Sequence, residues 1–177
     1  TGYAGAELVR LLYAHPEANV EVLTSKSYCN ESFSDVYATF NRVSNQLLTE
    51  DNLVEISKKV DVMFIALPHG IASKKVTSEI LETCKVIDLG ADFRLKDEAI
   101  YEKWYNTKHY GPKLLSDAVY GLCEIHKDEI KNARLVANPG CYTTTSILSL
   151  YPVVREGLVE TDSIVIDAKS GVSGAGR

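Results

Sequence analysis

The most constraining feature of this chain is a short, unbroken apolar run that ends abruptly in a turn. Residues 61–67 read DVMFIAL, and residues 68–70 (PHG) follow at once. An apolar run of this length without alternation predicts a strand covered on both faces, as in a parallel sheet. Residues 85–89 (KVIDL) and 134–137 (RLVA) predict further strands, and segments of helical period follow them. The sequence therefore predicts an α/β fold with a parallel sheet.

The first residues predict a helix whose start carries two glycines. Gly2 and Gly5 stand three residues apart, just before apolar residues that form one helical face. This arrangement is typical of the second half of a glycine-rich phosphate loop, in which backbone amides approach a pyrophosphate at the helix N-terminus. The strand and first glycine of such a loop would lie upstream of Thr1, so we expect a piece of a longer protein. A plain helix-starting turn is the alternative.

The next predicted strand, residues 19–24 (NVEVLT), ends in Ser25, Lys26 and Ser27. At this place an NAD-preferring site carries an acidic residue for the ribose hydroxyls. A cation between two hydroxyls suits the additional phosphate of NADP instead, and the sequence therefore favours NADP. A solvated polar turn is the alternative interpretation. Residues 28–48 show no clear period and predict a long loop.

Two further strand ends carry polar residues, at the edge where open α/β sheets bind their ligands. The turn 68–70 is predicted to touch the cofactor, although His69 can equally be an ordinary turn residue. Arg94 follows the strand 85–89 in the run GADFR and can clamp a phosphate or a carboxylate. Its alternative role is an ion pair with an acidic neighbour in the same turn. A single helix is predicted between the two strands, over residues 71–83.

Another strand end carries a cysteine. Residues 134–137 (RLVA) predict a strand, and an apolar segment of helical period follows the run NPGC. Cys141 is thus expected in or beside the first turn of a helix, where unpaired amides and the helix dipole favour the thiolate over the thiol. Such a thiol is a candidate nucleophile, and a buried cysteine that packs as a small hydrophobe is the alternative. Pro152 is expected to end or kink this helix.

The last predicted strand, residues 163–168 (SIVIDA), opens into the run KSGVSGAGR at residues 169–177. Its glycines allow close backbone approach, its hydroxyls offer hydrogen bonds, and Arg177 offers a charge for an anion. A flexible turn is the alternative.

Composition excludes several classes of function. No run approaches the roughly eighteen apolar residues of a membrane span, and no secretory leader is recognisable. A net charge of −5 without a basic stripe argues against nucleic acid as a partner. The four cysteines have no short paired spacing, so they fit neither a zinc site nor a disulfide framework. We expect no metal, free thiols and a cytoplasmic location.

Several blocks together resemble the N-acetyl-gamma-glutamyl-phosphate reductase family, enzymes of arginine biosynthesis within the semialdehyde dehydrogenase superfamily. The blocks keep a specific order over nearly the whole chain: TGYAGAELVRLL, LTSKSY, LPHG, DLGADFRL, AVYGLCEI, ANPGCY and SGVSGAGR. One departure is Cys123, where the family commonly has a proline at a structural turn. The resemblance implies that the chain is roughly the N-terminal half of such an enzyme.

The resemblance implies a Rossmann-type, doubly wound NADP-binding domain over residues 1–137, lacking its first strand, and the start of an α+β catalytic domain over residues 138–177. It implies an oxidoreductase in which the Cys141 thiolate attacks an acyl phosphate, expels phosphate and forms a thioester that NADPH reduces to a semialdehyde. Helix-start amides, with Thr143 or Thr144, would stabilise the oxyanion. The intact protein is expected to be a homo-oligomer, a dimer or a tetramer.

The same resemblance assigns the remaining site residues. The family's acid/base histidine would lie beyond Arg177, and none of the four histidines of this chain matches it. Arg94 is a candidate for the substrate phosphate. The residues expected to face the cofactor are Gly2, Gly5, Ser25, Lys26, Ser27, Pro68, His69, Gly70, Ser170 and Gly171.

Three alternative functions share parts of this pattern. A related lysine-pathway reductase acts on a longer aminoadipyl phosphate. Aspartate-semialdehyde dehydrogenase uses the same thioester chemistry, but its nucleophile typically lies in an N-C-S/T context that NPGCY does not match. A non-catalytic nucleotide-binding regulator built on this fold would need no reactive thiol.

Overall fold

The computed structural model describes residues 2–175, and these divide into two compact units. The first unit holds residues 2–61 and 172–175, and the second holds residues 62–171. None of the helices within residues 2–175 is long and apolar enough to cross a membrane.

The first unit is built on a helix and a short parallel strand pair. Its elements are α1 (Tyr3–Tyr13), β1 (Leu23–Thr24), α2 (Phe33–Val36), a 3₁₀ turn (Ala38–Phe40), β2 (Leu48–Thr49) and α3 (Leu53–Ser57). Strands β1 and β2 are parallel, with Leu23 opposite Leu48. The predicted strand at residues 19–24 is thus shorter than expected, and a second 3₁₀ turn (Val172–Ala175) belongs to the same unit.

The prediction of a loop without regular structure over residues 28–48 is wrong. This segment carries α2 and supplies most of the apolar core of the first unit. Phe33, Phe40 and Leu48 are buried with Val9 of α1. The Phe33 and Phe40 rings meet edge to face at 4.8 Å between centroids, a preferred arrangement of aromatic pairs. Polar residues between the aromatic ones conceal the helical spacing in the sequence.

The second unit contains the parallel sheet that the apolar runs predict. Its strands are β3 (Val62–Ile65), β4 (Lys85–Asp88), β5 (Val119–Tyr120) and β6 (Leu135–Ala137), in the spatial order β3-β4-β6-β5. Every neighbouring pair is parallel, and Val86 of β4 pairs with both Met63 and Leu135. Val86 and Leu135 are fully buried. The predicted α/β class with a parallel sheet is confirmed.

Four helices lie between these strands: α4 (Ala72–Lys75), α5 (Ser78–Thr83), α6 (Glu98–Tyr105) and α7 (Cys123–Asn132). A single helix over residues 71–83 was expected, but the backbone is extended at Val76 and Thr77. The Thr77 hydroxyl accepts a hydrogen bond from the Ile80 amide (3.4 Å) and so begins a new helix. Helix α7 was not predicted, and its backbone departs from helical angles at His126.

Helix α8 (Cys141–Arg155) begins at the residue where the sequence predicts it. It does not end at Pro152 but continues to Arg155, and Gly157 follows it with a φ of +65°. None of the residues of α8 is buried.

The predicted strand at residues 163–168 is not formed. Thr161–Ser163 is a 3₁₀ turn, residues 164–171 have no regular structure, and Val165 is 90% exposed. A strand needs a neighbour for its backbone hydrogen bonds, and the strand pairings of the described residues do not reach this segment.

We expect Gly70→Ala to destabilise the whole protein. Gly70 has a φ of +79°, and an added Cβ would lie 2.4 Å from Cγ2 of Thr107. The left-handed backbone alone disfavours alanine by about 1–2 kcal/mol, and the steric overlap adds to this. Urea unfolding measures the loss. The matched control is Gly157→Ala, where φ is also positive but the space is open. Adding Thr107→Ser should recover only the steric part, and a loss no larger than that of the control would contradict the argument.

Candidate active site

Three turns meet at one edge of the sheet in the second unit. The parallel order places the carboxyl ends of β3, β4 and β6 side by side, and each strand runs directly into a candidate turn. The backbone ladder continues past the strands. The Leu89 amide donates to the Ile65 carbonyl and the Asn138 amide to the Asp88 carbonyl, both at 2.8 Å. Open α/β sheets bind their ligands at this edge.

The candidate nucleophile lies in the third of these turns. Cys141 is the first residue of α8, and its thiol-bearing side chain is exposed. Gly140 is the N-cap, no side chain caps the helix, and its first turn has no acidic residue. The unpaired amides of this helix start therefore remain open to an anion at Cys141. The alternative of a buried cysteine that packs as a small hydrophobe is contradicted.

Threonine side chains close the first turn of α8. The Thr143 hydroxyl donates to the Gly140 carbonyl (2.9 Å) and accepts from the Tyr120 hydroxyl (3.2 Å). The Thr145 hydroxyl donates to the Cys141 carbonyl at 3.0 Å. Thr143 is therefore engaged in holding the turn, whereas Thr144 uses its backbone amide to reach Gly140.

Arg94 ties the second turn to the third. Its Nε donates to the Asn138 carbonyl (2.8 Å), and its Nη2 donates to the Leu89 carbonyl (2.9 Å). These partners differ from the acidic neighbours that the sequence offers as an alternative. A Cβ added to Gly140 would lie 3.2 Å from Nη1. The third guanidinium nitrogen thus lies beside the residue that precedes Cys141.

A buried carboxylate that the sequence reasoning missed joins the first two turns. Asp92 is fully buried and accepts hydrogen bonds from the Gly70 amide (2.7 Å), the Ser73 amide (2.8 Å) and the Tyr101 hydroxyl (2.8 Å). Burial alone would raise the pKa of Asp92, but these donors lower it below its usual range. Burial, and then the bond to Asp92, raise the pKa of Tyr101. The available signal was an acidic residue in a turn after a buried strand.

Asp88, the last residue of β4, is a second fully buried carboxylate. Its Oδ1 accepts from the Gly90 amide at 2.9 Å, and its Oδ2 has no hydrogen-bond partner among the described residues. Burial raises the pKa of Asp88 to about 6, the Gly90 hydrogen bond opposes the rise, and the charge of Asp92 adds to it. The two carboxylates of this edge therefore have pKa values shifted in opposite directions.

The first turn presents two exposed residues on a fixed backbone. Pro68 and His69 are exposed, whereas Gly70 is buried. The His69 ring packs against Tyr105, with 5.4 Å between ring centroids. Both exposed residues are thus available to a ligand at the end of β3.

The candidate phosphate loop lies in the first unit. Gly2 is the N-cap of α1, no side chain caps this helix, and its first turn has no acidic residue. A Cβ built on Gly2 or on Gly5 would meet no other atom within 4 Å. Open space beside unpaired helix-start amides fits the pyrophosphate of a dinucleotide.

The turn after β1 has one engaged and two exposed residues. Ser25 is buried, and its hydroxyl accepts from the Tyr28 amide at 3.2 Å. This arrangement matches the polar-turn interpretation for Ser25. Lys26 and Ser27 are exposed and remain the candidates for a ribose phosphate.

The start of the glycine-rich segment lies near the first turns of α8, because Lys169 lines one cavity with Tyr142 and Thr145. Ser170 and Gly171 are exposed, and the Ser170 hydroxyl donates to the Gly171 carbonyl (3.3 Å) within its own turn. Arg177 lies outside the described residues, as does Thr1.

Comparison with known proteins identifies the family. Residues 1–133 match the semialdehyde dehydrogenase NAD-binding domain, and residues 141–177 match the semialdehyde dehydrogenase dimerisation domain. The chain belongs to the semialdehyde dehydrogenase family. Membership indicates a nicotinamide cofactor, and the Rossmann-type prediction is confirmed at this level.

Three similar proteins carry the same name. The chain is 52% identical to an N-acetyl-gamma-glutamyl-phosphate reductase of Lachnoclostridium phytofermentans, 52% to one of Lachnospira eligens and 50% to one of Campylobacter jejuni. Each match covers the whole of this chain and 51% of the relative. The chain therefore spans about half the length of the curated relatives it matches, and the resemblance that the sequence blocks indicated is confirmed.

The raised pKa of Asp88 predicts a pH dependence of stability. Between the unfolded pKa of about 4 and the folded pKa of about 6, the folded state binds more protons than the unfolded state. The free energy of unfolding therefore falls as pH rises through this window and stays lower above it. Asp88→Asn removes this titrating group. The free energy of unfolding of the variant, relative to that of the wild type, should therefore rise from pH 4 to pH 7 by up to about 3 kcal/mol.

Urea unfolding of the whole protein at both pH values measures the effect. The matched control is Asp128→Asn, which replaces an exposed carboxylate and should follow the wild type. Parallel pH profiles of the wild type and Asp88→Asn would contradict the role of Asp88.

Proposed function

We propose that the whole protein reduces N-acetyl-L-glutamyl 5-phosphate to N-acetyl-L-glutamate 5-semialdehyde and phosphate with NADPH, in arginine biosynthesis. The observation that carries this proposal is the exposed thiol of Cys141 at an uncapped helix start, at the carboxyl end of β6. The names of the relatives, N-acetyl-gamma-glutamyl-phosphate reductase, supply the substrate.

The proposed reaction uses the Cys141 thiolate together with the backbone amides at the start of α8. The Cys141 thiolate attacks the carbonyl carbon of the acyl phosphate, the C–O bond to phosphate breaks, and inorganic phosphate leaves with the electron pair of that bond. A thioester on Cys141 remains. The helix-start amides of α8 are suited to the negative charge on the carbonyl oxygen during this step. A bound reduced nicotinamide would supply the hydride to the thioester carbon, and breakage of the C–S bond then yields the aldehyde and returns the Cys141 thiolate.

Arg94 suits the leaving phosphate. Two of its nitrogens are held by neutral carbonyls of Leu89 and Asn138, and Nη1 lies next to Gly140. The guanidinium is therefore fixed in orientation while its charge stays available to an anion beside Cys141.

NADP is the proposed cofactor. Gly2 and Gly5 would receive the pyrophosphate, Pro68, His69 and Gly70 would face the cofactor from the end of β3, and Ser170 with Gly171 would contribute from the glycine-rich segment. Lys26 and Ser27 suit the ribose phosphate because both are exposed after β1, and a lysine binds phosphate as a point charge.

The proposed assembly is a homodimer or a larger homo-oligomer formed through residues 141–177. These residues match a dimerisation domain, and α8 within them has no buried residue. The domain boundary proposed at residue 137 falls between the two matched segments. The proposed location is the cytoplasm, where four free cysteines such as these persist as thiols.

Replacing the nucleophile tests the proposed function. Cys141→Ser in the whole protein should lower phosphate-dependent oxidation of N-acetylglutamate semialdehyde by about 10³-fold or more, because a hydroxyl is a far weaker nucleophile than a thiolate. NADPH affinity, measured by fluorescence titration, should not change. The control is Cys123→Ser, which replaces the other exposed cysteine and should retain full turnover. Retained turnover in Cys141→Ser would refute the proposal.

Replacing the cation after β1 tests the choice of NADP. Lys26→Ala should weaken NADPH binding by about 10- to 100-fold, the value of a charge-assisted hydrogen bond of about 1.5–3 kcal/mol, and leave NADH binding unchanged. Lys59→Ala, at another exposed lysine of the first unit, is the control. An equal loss for NADPH and NADH in Lys26→Ala would show that this residue does not read the phosphate.

A further inference from the structure

The buried side chain of Asp92 fixes the backbone of the turn that presents Pro68 and His69. One carboxylate oxygen accepts from the Gly70 amide (2.7 Å), and the other accepts from the Ser73 amide (2.8 Å). These two amides lie on either side of the first residue of α4, Ala72. The turn after β3 is therefore hydrogen-bonded to a buried residue of the turn after the neighbouring strand, β4.

Asp92 is itself held in place by buried aromatic residues. The Tyr101 hydroxyl donates to Oδ1 (2.8 Å), and the His109 ring lies 2.9 Å from the Asp92 backbone carbonyl through Nε2. Because a carbonyl only accepts, Nε2 of His109 carries the proton. The His109 ring meets the rings of Tyr101 and Phe93 edge to face. All four residues are buried, so the carboxylate has little freedom to move.

The exposed residue His69 of this turn also packs against the aromatic residues around Asp92. The His69 ring packs against Tyr105, which stacks on Tyr101 at 5.0 Å between centroids. Gly70 has a φ of +79°, and Thr107 occupies the space where its Cβ would be. Residues of the segment 101–109 thus contact His69 and fill the space beside Gly70.

The hydrogen bonds continue from this turn to the candidate nucleophile. The Arg94 amide donates to the Ala91 carbonyl at 3.2 Å and closes the turn that contains Asp92. The Arg94 guanidinium then donates to the Asn138 carbonyl (2.8 Å), in the turn that leads to Cys141. Hydrogen bonds therefore connect the three strand-end turns in series, and Asp92 connects the turn after β3 to the turn after β4.

We propose that Asp92 is a positioning residue for the nicotinamide cofactor, acting through the turn Pro68–Gly70 and without touching the cofactor itself. This inference rests on the proposed function, which has that turn face the cofactor. An asparagine cannot replace the carboxylate. Its amide has one acceptor oxygen and one donor nitrogen, so either the Gly70 amide or the Ser73 amide would face another donor. The turn would then shift away from its place at the end of β3.

The test compares Asp92→Asn with Asp97→Asn in the whole protein. Asp97 caps the start of α6 by accepting from the Ile100 amide (2.9 Å) and is exposed, so its variant controls for changes in that helix. Asp92→Asn should raise the NADPH dissociation constant in fluorescence titration by about tenfold or more, and the KM for NADPH likewise. The KM for phosphate should change less than about twofold. The control should bind NADPH like the wild type.

Thermal unfolding and titration of the Cys141 thiol with iodoacetamide both report whether the variant is still folded. They therefore separate a positioning role of Asp92 from a simple loss of folded protein. A lower Tm with an unchanged NADPH dissociation constant would overturn the proposal. If Asp92→Asn does not fold, Tyr101→Phe removes one of the donors that hold the carboxylate and should weaken NADPH binding by about two- to fivefold. An unchanged dissociation constant in that variant would overturn the proposal as well. A wild type that binds NADPH without reducing the acyl phosphate would refute the proposed function and leave this test valid.

Discussion

A carboxylate buried among backbone amides holds the carboxyl edge of this sheet together. Moving a charge out of water is unfavourable unless hydrogen bonds replace those of the solvent. Asp92 receives two backbone amides and a tyrosine hydroxyl, and these donors compensate for its burial well enough to lower its pKa. The Gly70 and Ser73 amides, in turn, donate to this carboxylate instead of to water. Irregular turns beside a sheet are usually mobile, whereas this one is bonded to a strand end that is itself buried.

The candidate site combines rigid backbone with exposed side chains. Cys141 and His69 are exposed, yet Cys141 is the first residue of α8 and His69 lies in the turn whose Gly70 amide is hydrogen-bonded to Asp92. A ligand can reach a reactive side chain on a rigid backbone without first having to order that side chain. Asp88 adds a different element to the same edge, because burial raises its pKa to about 6, so that it takes up a proton at a much milder pH than an ordinary aspartate. The edge thus carries one ionised and one readily protonated carboxylate a few residues apart.

The sequence predicted those parts of the fold that depend on local pattern. The strand patterns at β3, β4 and β6 correctly predicted parallel strands, and the apolar segment of helical period after Gly140 correctly predicted a helix that begins beside Cys141. The strand predicted at residues 163–168 failed because its apolar residues have no sheet neighbour in the described part of the chain. The junction at Asp92 was out of reach for another reason. Its partner Gly70 lies 22 residues away, and only the folded order of β3 and β4 brings them together.

The way in which Arg94 is bound has a consequence for how the proposed anionic substrate would approach. Its two bonded partners are carbonyl oxygens, so the guanidinium keeps its full charge in a chain whose net charge is −5. Repulsion from the acidic surface as a whole would slow the approach of a phosphorylated molecule, while a local cation of this kind attracts it over the last few ångströms. Dissolved salt screens the long-range repulsion more than the short-range attraction. Encounter of residues 1–177 with the proposed acyl phosphate should therefore become faster as ionic strength rises from very low values, the reverse of the behaviour of a site surrounded by positive charge.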